Sequence, residues 1–161
     1  MKKIFLVLAA MFCVATVSAQ SKWAAGLRIG SGLQAQGEYA YSDNCYVEAR
    51  FGMSWVLGGV TADFQALHNW NVGNWDWTPS VGKWFLDAGC GLNVGGREYL
   101  AYYGVAGQVK FGLKFNKVPI RLAVDYTPVI GGITAYWGGF SASGFHTRGL
   151  ANVGISAVYC F

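Results

Sequence analysis

The sequence predicts an all-β protein: an eight-stranded antiparallel up-and-down barrel that crosses a membrane with its strands, preceded by a cleaved signal peptide. Three observations lead there. The chain ends inside an alternating segment, with Val153, Ile155, Ala157, Tyr159 and Phe161 on one face and Asn152, Gly154, Ser156, Val158 and Cys160 on the other. A two-residue period of this kind is a strand with two unlike faces. The chain begins with an export leader. Finally, when the parity of the last strand is carried backwards, every charged residue within a strand falls on the face opposite the apolar one.

The leader has three parts: a basic start at Lys2 and Lys3, an apolar run from Ile4 to Val17, and the small residues Val17-Ser18-Ala19. Cleavage is expected between Ala19 and Gln20, so residues 1–19 are signal peptide and 20–161 are the barrel domain. The apolar run falls short of the roughly 20 residues that a spanning helix needs. Cys13 follows Met11 and Phe12, bulky residues that do not suit a lipoprotein signal. Removing Lys2 and Lys3 leaves ten basic residues against eight acidic ones, too even a balance to indicate a nucleic-acid partner. Charged residues make up 12% of the chain and aromatics 16%. No mature stretch is a continuous apolar span, and alternating strands that turn half their side chains to lipid suit that composition.

Counting back from the end, the eighth strand runs from about Leu150 to Phe161, preceded by a glycine- and aromatic-rich loop from Val129 to Gly149. The seventh is Ile120 to Thr127, and a tight turn at Asn116-Lys117 joins it to the sixth, Tyr103 to Phe115. Gly95 to Tyr102 reads as a loop, and the fifth strand as Lys83 to Val94. Residues 72–82, with Trp75, Trp77 and Pro79, fit a turn or an irregular strand start equally well. The fourth strand is Val60 to Asn71 after a Gly58-Gly59 loop, and the third is Tyr46 to Val56 after the Asp43-Asn44 turn. The second is Leu33 to Tyr41 and the first is Trp23 to Gly30, with Ser31-Gly32 between them. Strands of about 9 to 11 residues match a membrane crossing.

In this register Arg28, Glu38, Glu48, Arg50, Asp63, Asp87, Lys110, Lys114, Arg121 and Asp125 share the inner face: five basic and five acidic residues. A charge facing lipid near the bilayer centre costs about 2–4 kcal/mol for a basic residue, so a membrane barrel requires this sorting. Eight strands enclose a lumen that side chains can fill. Balanced charges in it are expected to pair as an interior ion-pair network, because an unpaired buried charge is costly. The expected product is a polar plug, not an open pore. Trp23, Trp55, Trp70, Trp75, Trp77, Tyr39, Tyr41 and Tyr159 gather near strand ends, as an interfacial aromatic girdle would.

With these residues in hand, the chain resembles the small eight-stranded outer-membrane proteins of the OmpX and OmpA-barrel type, and is similar to small barrels common in Bacteroidota. The resemblance rests on the Gly26-Leu27-Arg28-Ile29-Gly30 start, the Asp43-Asn44 turn before Val47-Glu48, and Gly104-Val105-Ala106-Gly107-Gln108. Val118-Pro119-Ile120 and Val124-Asp125-Tyr126-Thr127-Pro128 complete it. It implies a monomer in the cell outer membrane, with short periplasmic turns and longer external loops, whose partners are outer-membrane lipids and the assembly machinery. It also implies that the terminal aromatic strand, with Tyr159 and Phe161, is the assembly signal, and that the role is envelope integrity, adhesion or another surface interaction. The loop carrying Tyr136, Trp137, Phe140 and Phe145 is the candidate contact surface.

No catalytic residue, cofactor site or metal site is predicted. His68 and His146 are far apart, the cysteines lack ligand spacing, and Gly95-Gly96, Gly131-Gly132 and Gly138-Gly139 open no helix. Cys45, Cys90 and Cys160 read as free thiols. Two other readings stay open. His146 follows Ser141 and Ser143 in the last loop, so a lipid A acyl-modifying enzyme is one alternative. A soluble exported barrel of the lipocalin kind, with its apolar face inward, is the other.

Overall fold

The computed structural model describes residues 22–56, 59–147 and 151–161. The proposed signal peptide lies outside them. Ten strands form one antiparallel sheet: β1 (Trp23–Ile29), β2 (Gly32–Ala40), β3 (Cys45–Val56), β4 (Gly59–Thr78), β5 (Gly82–Arg97), β6 (Leu100–Phe115), β7 (Ile120–Tyr126), β8 (Val129–Trp137), β9 (Phe140–His146) and β10 (Val153–Cys160). Each of β1 to β6 pairs with its successor, and β10 joins β7 to β1, so the ring is closed. Eight strands make this ring, because β8 prolongs β7 along β6 and, among the described residues, β9 pairs only with β8.

The joint between β7 and β8 follows from the covalent structure. Pro128 has no N–H to give to a ladder, so pairing lapses there. Its carbonyl still accepts from Gly107 N at 3.0 Å, which keeps the wall continuous with β6.

Burial alternates along every strand of the ring and is inverted relative to a soluble protein. Arg28, Glu48, Arg50, Asp63, Asn93, Lys110 and Asp125 are buried, whereas Leu27, Phe51, Trp55, Leu92, Val105 and Ile155 are exposed. No helix of the described residues is long and apolar enough to cross a membrane. The strands carry the apolar surface outward instead, as in membrane-spanning barrels of the outer-membrane type. This polarity removes the soluble lipocalin-like alternative, which needs an apolar interior.

Three expected boundaries are corrected. The segment from Val129 to Gly149 is not a loop: residues 129–146 form the β8–β9 hairpin, which closes at Gly138 and Gly139 with φ of 54° and 85°. A two-residue turn between paired strands favours positive φ at both positions, and glycine supplies it without strain. Gly95 to Tyr102 is likewise mostly strand, since Arg97 pairs with Leu100 across a two-residue turn. Residues 72–82 are also largely strand, with β4 running on to Thr78.

The β4 extension escaped the periodic reading because of a bulge. Asn71 pairs with Asp87 and Gly73 with Leu86, so Val72 is an extra residue on β4. One inserted residue exchanges the faces beyond it. Trp75 thereby comes opposite Trp84 on the outer wall. Trp75 stacks on Trp77 at 5.5 Å, and Trp84 stacks on Phe111 at 5.2 Å, with Trp77 beside both.

Candidate functional site

Two regions could act: the filled lumen and the hairpin above it. In the lumen, strands far apart in sequence bring seven charges into one alternating chain. Arg28 on β1 donates from Nε to both oxygens of Asp125, at 2.9 Å each, and from Nη2 at 2.7 Å. Asp125 on β7 also lies 3.6 Å from Arg50 Nη1. Arg50 donates to its strand neighbour Glu48, which takes a 2.6 Å bond from Lys110 Nζ on β6. Lys110 reaches Glu38 on β2 at 3.1 Å, and Glu38 also pairs with Arg121 on β7.

Neutral side chains occupy the remaining positions. Thr127 donates to Asp125 at 2.9 Å, Asn69 to Glu48 at 3.1 Å and Gln36 to Glu38 at 2.6 Å. Arg28 is further held by Gln34 and Asn152. The side chains of Arg28 and Arg50 are 0% exposed and that of Lys110 is 1%. An open water-filled lumen would leave such inward cations accessible, so this lumen is filled.

The other inward charges are placed differently. Asp87 accepts from Tyr46 at 2.9 Å and Asn71 at 2.8 Å. Asp63 accepts from Ser54 and Asn93, both at 2.8 Å, and from Tyr102 at 3.1 Å. Lys114 is on the same face but exposed at the mouth, and joins no ion pair among the described residues. It does not belong to the buried network. Its position along the barrel, not its parity, decides this.

Tyr46 is a network residue that the reading of charges missed. Its hydroxyl donates to Asp87, and its ring lies 5.4 Å from Lys110 Nζ and 5.2 Å from Arg121 Cζ. Tyr46 shares parity with Glu48 and Arg50. Applying the two-residue period to every polar group, not only the charges, would have found it together with Gln34, Asn69 and Thr127.

The hairpin divides the four aromatic candidates. Trp137 pairs with Phe140, while Tyr136 pairs with Ser141 and Phe145 with Gly132. Alternation therefore puts Trp137 and Phe140 on one face and Tyr136 and Phe145 on the other. All four are exposed, Trp137 at 87% and Phe140 at 83%. The same alternation places Ser141 and Ser143 on the face opposite His146. The sequence neighbours thus do not make a serine–histidine pair. Ser143 Oγ instead meets Thr134 Oγ1 at 3.0 Å, and His146 stands edge-on to Tyr102.

His68 faces outward, between Tyr41, whose hydroxyl bonds its Nε2, and Trp70. Cys45, Cys90 and Cys160 are free thiols. No group of three or more metal-ligating side chains occurs among the described residues.

No family model matches the sequence, and no curated protein does. Among solved structures the chain is similar to the N-terminal β-barrel domain of Pseudomonas aeruginosa OprF, with a TM-score of 0.42 and 12% identity over 86% of this chain and 95% of that one. The fold assignment does not depend on that likeness. It rests on the closed ring of strands and the inverted polarity of its two faces.

Proposed function

We propose that this chain is a small monomeric outer-membrane barrel with a surface-interaction role, acting through the β8–β9 hairpin on the external side. The end carrying both chain termini then faces the periplasm, after removal of residues 1–19, and Tyr159 and Phe161 serve as the assembly signal. The carrying observation is the free edge of β9. Among the described residues β9 pairs only with β8, and Phe140–His146 contains no Lys, Arg, Asp, Glu or Pro. An edge of this kind offers a row of unpaired N–H and C=O groups without the charges or prolines that usually blunt one. An extended segment of another protein can add to it as a further strand, with the exposed aromatics on either side as anchors.

The test replaces residues 135–142 by an Asn-Gly turn, which closes the hairpin at the Thr134–Ser143 pair. Cells displaying the full or the shortened protein are compared for attachment to immobilised extracellular-matrix proteins and to one another. The shortened form should keep heat-modifiable gel mobility in outer-membrane fractions and lose attachment. Equal attachment by both forms would overturn the surface role. The lipid A profile of a strain lacking the protein tests the enzymatic reading separately, and an unchanged profile is expected.

A further inference from the structure

The mouth at the end carrying the chain termini holds a second group of charges, arranged unlike the buried chain. Lys83 on β5 lies directly opposite Lys114 on β6, and Lys114 directly opposite Arg121 on β7. Three cations thus stand side by side on the inner face of three adjacent strands. Like charges directly opposite each other in a sheet repel and destabilise it. All three line one cavity of about 270 Å³, as does Lys22.

The acidic groups of that cavity relieve only Arg121, which pairs with Glu38, and leave the two lysines of the row without a carboxylate. Glu38 is engaged by Lys110 and Arg121, and Asp87 by Tyr46 and Asn71. Asp43 lies on the β2–β3 turn and makes no ion pair among the described residues. Neither Lys83 nor Lys114 has an ion-pair partner among them, the terminal carboxylate included. Arg121 is fixed in place, its guanidinium 5.2 Å from the Tyr46 ring and 5.1 Å from that of Phe85. The site therefore combines a held cation at its floor with two lysines at its rim. Their ammonium groups are free to turn toward a common guest.

We infer that this mouth binds a phosphate-type anion between Lys83 and Lys114, above Arg121. An oxyanion with several acceptor oxygens converts the repulsion of the row into attraction, because each lysine offers three donors and a full charge. The guest is either a free phosphate or phosphomonoester, or the phosphate of an anionic lipid headgroup at the membrane surface. Both present the same chemistry to the row.

The experiment uses the full mature chain folded in zwitterionic detergent and titrated with inorganic phosphate, against sodium chloride of equal ionic strength. Backbone amide shifts at residues 82–84, 113–115 and 120–122 should saturate with phosphate but not with chloride. The double variant Lys83→Gln/Lys114→Gln should weaken that binding about tenfold or more. Both lysines are exposed, so the variant should fold. Without phosphate at low salt it should melt above the parent, because the repulsion is gone, and phosphate should raise the melting temperature of the parent only. Nanodiscs separate the sources. If anionic lipid reproduces the saturated shifts without added phosphate, a headgroup is the guest; if only soluble phosphate does, the guest is free. Shifts equal to those with chloride, or binding undiminished in the double variant, would overturn the site.

Discussion

β7 in the ring and β8 in the hairpin both run along β6, yet the ring and the hairpin treat their side chains in opposite ways. Below the Pro128 joint, β7 lies between β6 and β10, and its inward Asp125 is held by Arg28, Arg50 and Thr127. Above it, β8 has β6 and β9 as neighbours while β9, among the described residues, has only β8, and Trp137 and Phe140 reach solvent. Closure makes the difference. A strand paired on both sides inside a narrow ring finds partners for its inward charges on other strands as well as on its own. A hairpin that rises out of the ring leaves an edge and two open faces. Stability should therefore be concentrated in the lumen, and freedom to change in the hairpin.

The sharpest way to break that contrast is to remove one partner from the buried chain. Asp125→Ala leaves Arg28 and Arg50 buried without their shared carboxylate, and should cost about 3–5 kcal/mol in urea unfolding from lipid or detergent. Replacing Arg28 and Asp125 together, by Met and Leu, should recover most of that loss, because no uncompensated charge is left behind. If the single variant is as stable as the parent, the network is not what holds the lumen.

Overpacking tests the same interior more gently. A Cβ at Gly154 would lie 2.5 Å from the Arg28 guanidinium. Gly154→Val should therefore displace Arg28 from Asp125 and cost about 1–3 kcal/mol by the same unfolding assay. On the outer wall, Trp84→Ala removes the ring stacked on Phe111 and the 2.9 Å bond from Nε1 to Thr78. The expected loss is about 1–3 kcal/mol, read from the same unfolding curves and confined to the lower rim. The hairpin should respond least. Trp137→Ala and Phe140→Ala are expected to change stability by less than about 0.5 kcal/mol. A larger loss in thermal unfolding would mean that the hairpin supports the ring, and the contrast would fail.

Much of the ring is legible in the sequence because its signal is local. A period of two needs only neighbouring residues, so the shared parity of Arg28, Glu48, Arg50, Lys110 and Asp125 can be read without knowing their partners. The same rule broke where one residue was inserted. Val72 exchanges the faces of β4, and no pattern in Trp75, Asp76 and Trp77 announces the exchange. The hairpin was missed for a different reason. Glycines at Gly131, Gly132, Gly138 and Gly139 look like loop residues, but only the last pair makes the turn. Gly131 instead lies against the neighbouring backbone at Tyr103 and Gly104, where a side chain would not fit.

By itself, then, the sequence determined the two-faced strands and the sorting of their charges, since each is a property of residues adjacent in the chain, while the structure decided which face points outward. Only the tertiary structure decided which charges meet. Arg28 and Asp125 are 97 residues apart, and ring closure and strand stagger set their approach. The same stagger separates Lys110 from Lys114. They share one strand and one face, but one is buried between two glutamates and the other stands at the mouth beside Lys83 and Arg121. Parity assigns a side chain to the lumen. Its height along the barrel determines whether it meets a carboxylate or water.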